Sequence, residues 1–222
     1  MNLSEQVEQS LFALKNPALM HDLLAQEQII QYLMLIEKWN KRYNLTAIKT
    51  VEDMLHQHIM DSLSVINHLY GPVIVDVGTG AGLPGIPIAI ARPDWQVILI
   101  ESNQKKTAFL QQVKIELKLD NIAIMPQRIE NTSIKVNIDT IVCRAYASLG
   151  TFIQSTRHLI SSQNNQCRWI AMKSNCAVQE LTEVTTPFFV ENTVPLIVPG
   201  LSAKRELIII RQSTKPVAED QE

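Results

Sequence analysis

The sequence predicts an α/β fold: a mostly parallel, seven-stranded doubly wound sheet, preceded by a helical extension. Three observations carry this. From residue 73 onward, short runs rich in valine and isoleucine alternate with helical stretches, the pattern of strands buried on both faces of a parallel sheet. The first such run empties into a glycine-rich turn, VIVDVGTGAGLPG, where an open α/β sheet places its ligand loop. The last two strand candidates follow one another with no helix between them, which suggests a closing hairpin.

The elements follow in order. Residues 3–15 and 19–43 read as helices. In the second, Leu23, Leu24, Ile29, Ile30, Leu33, Leu35 and Ile36 return at helical spacing, and Pro17 separates the two. Residues 51–70 are a further helix, with Leu55, Ile59, Leu63 and Ile66 on one face, stopped by Gly71-Pro72. VIVDV (73–77) is the first strand. A helix starts inside the glycine loop and ends before Arg92-Pro93-Asp94. QVILIE (96–101), NIAIMP (121–126), DTIVCRA (139–145) and RWIAMK (168–173) are strands, with helices over 104–118 and 149–160. Strands near 185–193 and 205–211 complete the seven. The predicted organisation is an extension over 1–70, an α/β domain over 71–212 and a polar tail, STKPVAEDQE, over 213–222.

Composition narrows the class. Of the 222 residues, 46% are apolar, enough for a full core, and the formal charge is −2. That charge argues against a protein that coats nucleic acid indiscriminately but leaves room for a local basic face. Cys143, Cys167 and Cys176 lack metal-ligand spacing and are odd in number, so buried, reduced cysteines are expected and no metal site. The polar opening LSEQVEQS is no signal peptide, and the apolar run near 83–91 is too short for a span. A cytoplasmic protein with no membrane association and no obligate protein partner is expected.

The glycine loop carries the chemistry. Gly80, Gly82 and Gly85 fit G-x-G-x-x-G, a dinucleotide fingerprint, while Gly78, Gly80 and Gly82 follow Asp76 in a pattern suited to S-adenosylmethionine. Glycines permit positive φ and let a ligand lie against the backbone. Pro84 suits a helix start. Pro87 removes an early helical hydrogen bond, so an irregular or later start is expected, a poor regular pyrophosphate cradle. Asp76 can orient the loop or reach a ligand ammonium through water. Glu101, 21 residues after Gly80, ends the second strand where a carboxylate accepts ribose hydroxyls. Arg128-Ile129-Glu130 follows the third strand, where an adenine edge lies in either cofactor class. Arg144 closes the fourth strand and is placed to meet a substrate oxygen or to pair with Asp76 or Glu101. Tyr146 can stack on a base.

WNKRYNLTAIK (39–49), HIMDSL (58–63), DVGTGAGLPGIP (76–87), CRAYASL (143–149) and KREL (204–207) occur in this order. Together they closely resemble the bacterial 16S rRNA guanine-N7 methyltransferase family RsmG, also called GidB, from about residue 30 to 211. The resemblance implies a Rossmann-like class I S-adenosylmethionine-dependent methyltransferase fold and methylation of N7 of one guanine, position 527 of 16S rRNA. It implies cofactor contacts at Gly78, Leu83, Ile129, Glu130 and Arg144, with Glu101 where relatives often carry aspartate. Two positions depart from the family pattern. Lys173-Ser174 stands where a Lys-Gly pair is usual, and Cys143 where serine is common.

Guanine N7 has a lone pair and no proton, so methyl transfer needs alignment and electrostatics rather than a general base. Neither a triad nor a metal is expected, and only Arg144 and Lys173 are candidates for positioning the reactants. Candidate RNA contacts are Lys38, Lys41, Arg42 and Lys49 from the extension, with Arg144, Tyr146, Lys173, Lys204 and Arg205 from the domain. Basic residues interleave with Trp39 and Tyr43, as in phosphate-plus-stacking surfaces, although Trp39 also suits the core. His58 and Asp61, three apart on a helix, either pair or brace the extension against the glycine loop. The competing functions are a methyltransferase for another RNA or a small molecule, and an NAD-linked oxidoreductase.

Overall fold

The computed structural model describes residues 2–161, 164 and 166–213. The polar tail beyond Ser213 lies outside the described residues. Helix α1 (Leu3–Ala13) opens on a capping box: Asn2 Oδ1 accepts from Glu5 N, and Glu5 Oε2 accepts from Asn2 N. The helix expected over 19–43 is interrupted. The break at Pro17 falls as expected, after α1, but Pro17 opens a short helix, α2 (Pro17–Met20), and the long helix α3 (Leu23–Tyr43) restarts behind Asp22. The Asp22 carboxylate accepts from Ala25 N at 2.9 Å, capping amides that a continuous helix would have used. Asn44 ends α3 at a left-handed φ of 50°.

The predicted helix over 51–70 is composite. It runs as α4 (Val51–Met54), a π-helical segment (Leu55–Met60) and α5 (Asp61–Leu63), followed by a 3-10 turn, Ile66–His68. Strand β1 (Val73–Val77) follows, then α6 (Gly85–Ala91), β2 (Gln96–Ile100), α7 (Gln104–Glu116), β3 (Ile122–Met125), β4 (Thr140–Arg144), α8 (Leu149–Thr156) and β5 (Arg168–Lys173). A short α9 (Val178–Leu181), which the sequence did not suggest, precedes β6 (Phe188–Leu196) and β7 (Arg205–Gln212). The strand order is β3-β2-β1-β4-β5-β7-β6. The first five strands pair in parallel; β7 is antiparallel to β5 and to β6, the expected hairpin.

Alternation along the strands divides the core in two. Ile74, Val97, Leu99, Leu207 and Ile209 face α6, α7 and the extension, joining Ile29, Tyr32, Leu33, Leu55 and Ile59 in one cluster. Val75, Val77, Ile98, Ile141 and Ile208 face the opposite way, under Leu149 and Phe152 of α8. The helical first 70 residues therefore share a core with the sheet rather than making their own. Each fully buried isoleucine there contributes about 1.5–3 kcal/mol. Cys143 and Cys167 are buried as expected, while Cys176 is half-buried.

Candidate functional site

The chain order reverses beside β1, between β2 and β4, and ligands of such sheets bind at the carboxyl ends of strands around that point. Two cavities open there. The first is lined by Gly78, Glu101, Arg128, Ile129, Glu130 and Tyr146, among others. The second is lined by Asp61, Arg144, Ala145, Lys173, Ser174 and Arg205, among others, and holds about 280 Å³. Of the residues expected to hold a cofactor, Gly78, Glu101, Ile129 and Glu130 line the first cavity.

The loop above β1 is shaped by backbone. Gly78, Gly80 and Gly82 all have positive φ, at 65°, 62° and 93°. A Cβ on Gly78 would come within 2.6 Å of Tyr146 Cδ2, and one on Gly85 within 2.2 Å of Leu99 Cδ2. Pro87 costs the helix nothing: α6 begins at Gly85, so Pro87 occupies its third position, where an amide has no intrahelical partner in any case. Leu83 is buried behind the loop in the extension-side core.

Asp76 is the loop's internal fastener. It is fully buried, and its Oδ2 accepts from Thr79 Oγ1 at 2.5 Å and from Gly85 N at 2.8 Å. Among the described residues its Oδ1 has no hydrogen-bond partner. Burial pushes the Asp76 carboxyl up to about 6, against the lowering pull of its Thr79 and Gly85 hydrogen bonds. Glu101 steadies the same loop from β2, accepting from Gly80 N at 3.0 Å and Asn103 N at 2.8 Å. A residue that the sequence reading missed adds a third hold: Tyr32 of α3, fully buried, donates to Ala81 O at 2.5 Å. Its only sequence signal was a tyrosine on the apolar face of a long helix.

Ala145 divides the two cavities. It is a non-glycine residue at φ 52°, a conformation costing about 1–2 kcal/mol. The turn sends its neighbours to different sides. Tyr146, expected to meet RNA, packs against Gly78 in the first cavity and edge-on to Phe152, ring centroids 6.3 Å apart. Arg144, expected among the cofactor contacts, extends its guanidinium toward the second cavity and the extension. It pairs with neither Asp76 nor Glu101. Nη1 donates to Gln57 O at 2.9 Å and Asp61 Oδ2 at 3.2 Å, and Nη2 lies 3.3 Å from His58 Nδ1.

His58 and Asp61 therefore do not pair with each other; both brace Arg144. Asp61, 2% exposed, also accepts from Arg205 Nε at 3.0 Å. Because a guanidinium can only donate, His58 Nδ1 accepts and Nε2 carries the proton, which goes to Thr46 Oγ1 at 2.8 Å. Burial first, and the Arg144 charge second, hold the imidazole down at about 4, so it is neutral near pH 7. Asn40 fixes the turn that presents Thr46, accepting from Thr46 N at 2.9 Å and donating to Ile48 O at 3.0 Å.

The remaining basic residues divide. Lys173 donates to Ala147 O at 2.9 Å and is neutralised by Glu180. Lys41 is exposed and paired with Glu37 at 2.9 Å, and Arg42 lies 5.4 Å from the Tyr43 ring centroid. Lys38, Lys49 and Lys204 are exposed. Trp39 is part of the core edge, 5.5 Å from Phe109. Among the described residues, no group of three or more His, Cys, Asp or Glu is placed to hold a metal ion. No described helix is long and apolar enough to cross a membrane.

A sheet in this order, with a glycine turn after its first strand and a carboxylate closing its second, defines a Rossmann-like methyltransferase. Solved structures agree on the fold. The Bacillus subtilis tRNA methyltransferase TrmK matches with TM-score 0.56 at 13% identity, over 69% of this chain and 65% of that one. Magnesium protoporphyrin IX methyltransferase from Synechocystis, solved with bound SAM, matches with TM-score 0.55 at 15% identity, over 82% of this chain and 97% of that one. Sequence comparison is more specific: the chain belongs to the GidB family, rRNA small subunit methyltransferase G, whose profile matches residues 25–209. The ribosomal RNA small subunit methyltransferase G of Nitrosomonas eutropha is 45% identical over 212 residues, 95% of this chain and 98% of the relative. That of Neisseria meningitidis is 42% identical over 187 residues, 84% of this chain and 88% of the relative. The oxidoreductase alternative is set aside on this ground.

Proposed function

We propose that this chain is a cytoplasmic enzyme that uses S-adenosylmethionine to methylate N7 of one guanine, position 527, in 16S rRNA. The observation that carries this reading is the pair of adjoining cavities at the sheet's mouth, one shaped by glycines and a carboxylate, the other by arginines. The first fits the donor. Gly78 lines it, and the absence of a side chain there lets the Tyr146 ring close over the backbone. Both Glu101 oxygens take backbone amides yet retain lone pairs for ribose hydroxyls. Ile129 offers an apolar face for a purine ring, and Asp76 holds the loop's shape from beneath.

When bound, the donor supplies an electrophilic methyl group on a sulfonium. The chain's own task is to bring guanine N7 into line with it and exclude water. N7 has a lone pair and no proton, so no side chain need act as a base. In the second cavity, Arg144 and Arg205 face a single carboxylate, Asp61, leaving that group one positive charge in excess. Such a surface suits RNA phosphates and the guanine O6. Lys41, Arg42, Lys49 and Lys204 extend the basic rim, and Lys173, balanced by Glu180, stands at its floor. In this reading residues 1–70 and 71–212 act as one catalytic unit.

The test is to map N7-methylguanine in 16S rRNA from cells with and without this gene. Loss of methylation at a single guanine is expected. An unchanged 16S rRNA would overturn the proposal, and a methylguanine lost from another RNA would move the substrate.

A further inference from the structure

The π-helical segment of the extension has an unusual relation to Arg144. Asp61 N bonds back to His56 O, five residues earlier, in addition to His58 O. In an α-helix that amide would close on Gln57 O. Here the Gln57 carbonyl instead accepts from Arg144 Nη1 at 2.9 Å. The wider π-turn thus releases a main-chain acceptor toward the cavity, and π-turns are frequent at functional sites. Asp61 Oδ2 and His58 Nδ1 sit on the same side and take further guanidinium protons. Thr46, fixed by Asn40, receives the opposite edge of the imidazole and so sets its tautomer. On the far side of the π-turn, His56 Nδ1 lies 3.0 Å from Pro199 O, which ties the segment to the β6–β7 loop.

We infer that the extension positions the Arg144 guanidinium: Asp61, His58 and the Gln57 carbonyl form a rigid three-acceptor template that fixes Arg144 at the boundary between donor and RNA. An arginine side chain loses much rotamer freedom when ordered. A prepared template places that ordering before substrate arrives, which favours the reacting geometry. Asp61 and His58 are assigned as positioning residues, because their contacts to the guanidinium act through Arg144. The inference rests on the proposed methylation of 16S rRNA.

The test is a double-mutant cycle on methyl transfer to small ribosomal subunits. His58→Leu removes the acceptor and His58→Gln keeps one. In the wild-type background, His58→Leu should lower kcat/KM about tenfold and His58→Gln less than threefold. In an Arg144→Gln background, His58→Leu should cost less than twofold, since its partner is gone. Asp61→Asn should show the same non-additivity with Arg144→Gln, its contact to Arg205 being scored in a parallel cycle with Arg205→Gln. Additive losses, or equal losses for the leucine and glutamine variants, would overturn the inference, because they mark a merely structural role. Should Asp61→Asn not fold, the His58 cycle alone decides. If the wild-type protein transfers no methyl group to 16S rRNA, the proposed function fails instead, a result that the wild-type control separates from additivity.

Discussion

The two cavities at the mouth of the sheet are built in opposite ways. The first cavity is mostly local: the β1 turn, the end of β2 and the turn after β3 each follow their own strand, and their geometry is largely backbone, positive φ and missing side chains. The second cavity is assembled from far apart. Arg144 meets Asp61 across 83 positions of sequence, and Arg205 meets the same carboxylate across 144. The difference teaches that one site is a conformation and the other a charge arrangement. Substitutions should therefore separate donor affinity from RNA affinity.

The largest effect belongs to the backbone site. Gly85→Val would drive a side chain into Leu99 and the Asp76 carboxylate, whose nearest atoms lie 2.2 and 2.7 Å from a built Cβ. We expect a loss of about 3 kcal/mol in stability and no detectable binding of S-adenosylhomocysteine. Thermal unfolding with and without that ligand measures both, and a wild-type melting curve would break the comparison. Next, Glu101→Gln should weaken S-adenosylhomocysteine about ten- to hundredfold, the worth of a hydrogen bond to a charged group. Calorimetry reads that change, and unchanged binding of small subunits would sharpen the division.

On the charge side, Lys41→Glu with Arg42→Glu should weaken small-subunit binding about tenfold at moderate salt and flatten its salt dependence. Donor affinity should hold. Equal RNA affinity in the double variant would remove α3 from the RNA surface.

The smallest effect is on pH. His58 has its pKa lowered on folding, from 6.5 to about 4. Its contribution to stability is present above pH 6.5 and is lost as pH falls toward 4. Asp76, raised from 3.8 to about 6, acts in the other direction: its penalty fades as pH falls through 6. The two oppose each other, so the difference between wild type and His58→Gln isolates the imidazole, which faces Arg144 and Thr46. Between pH 7.5 and 5.5 the variant should lose about 1 kcal/mol less than wild type. Denaturant unfolding at the two pH values provides the number, and parallel pH curves would contradict a buried neutral His58.

The same contrast governs what was legible in the sequence. β1 and β5 fall on the residues that the valine and isoleucine runs marked, 73–77 and 168–173, because fully buried strands leave little choice of residue. The donor loop was legible for the same reason: glycine positions record backbone demands directly. The break at Asp22 was not, since a single capping carboxylate between Met20 and Leu23 resembles the polar face of a continuing helix. The side on which Tyr146 falls was not legible, because nothing in CRAYASL signals that Ala145 takes a left-handed φ and turns its neighbours apart. The template around Arg144 was invisible as a unit. HIMDSL and KREL stood out as matching segments, yet a pairing between Asp61 and Arg205 has no periodicity to betray it.

The most direct measurement is methyl transfer in vitro. Small ribosomal subunits from cells lacking this gene are incubated with the purified protein and methyl-labelled S-adenosylmethionine, and the 16S rRNA is then mapped. The two-cavity account predicts label at N7 of one guanine, position 527. No transfer to 16S rRNA, or label spread over several guanines or on other atoms, would contradict it.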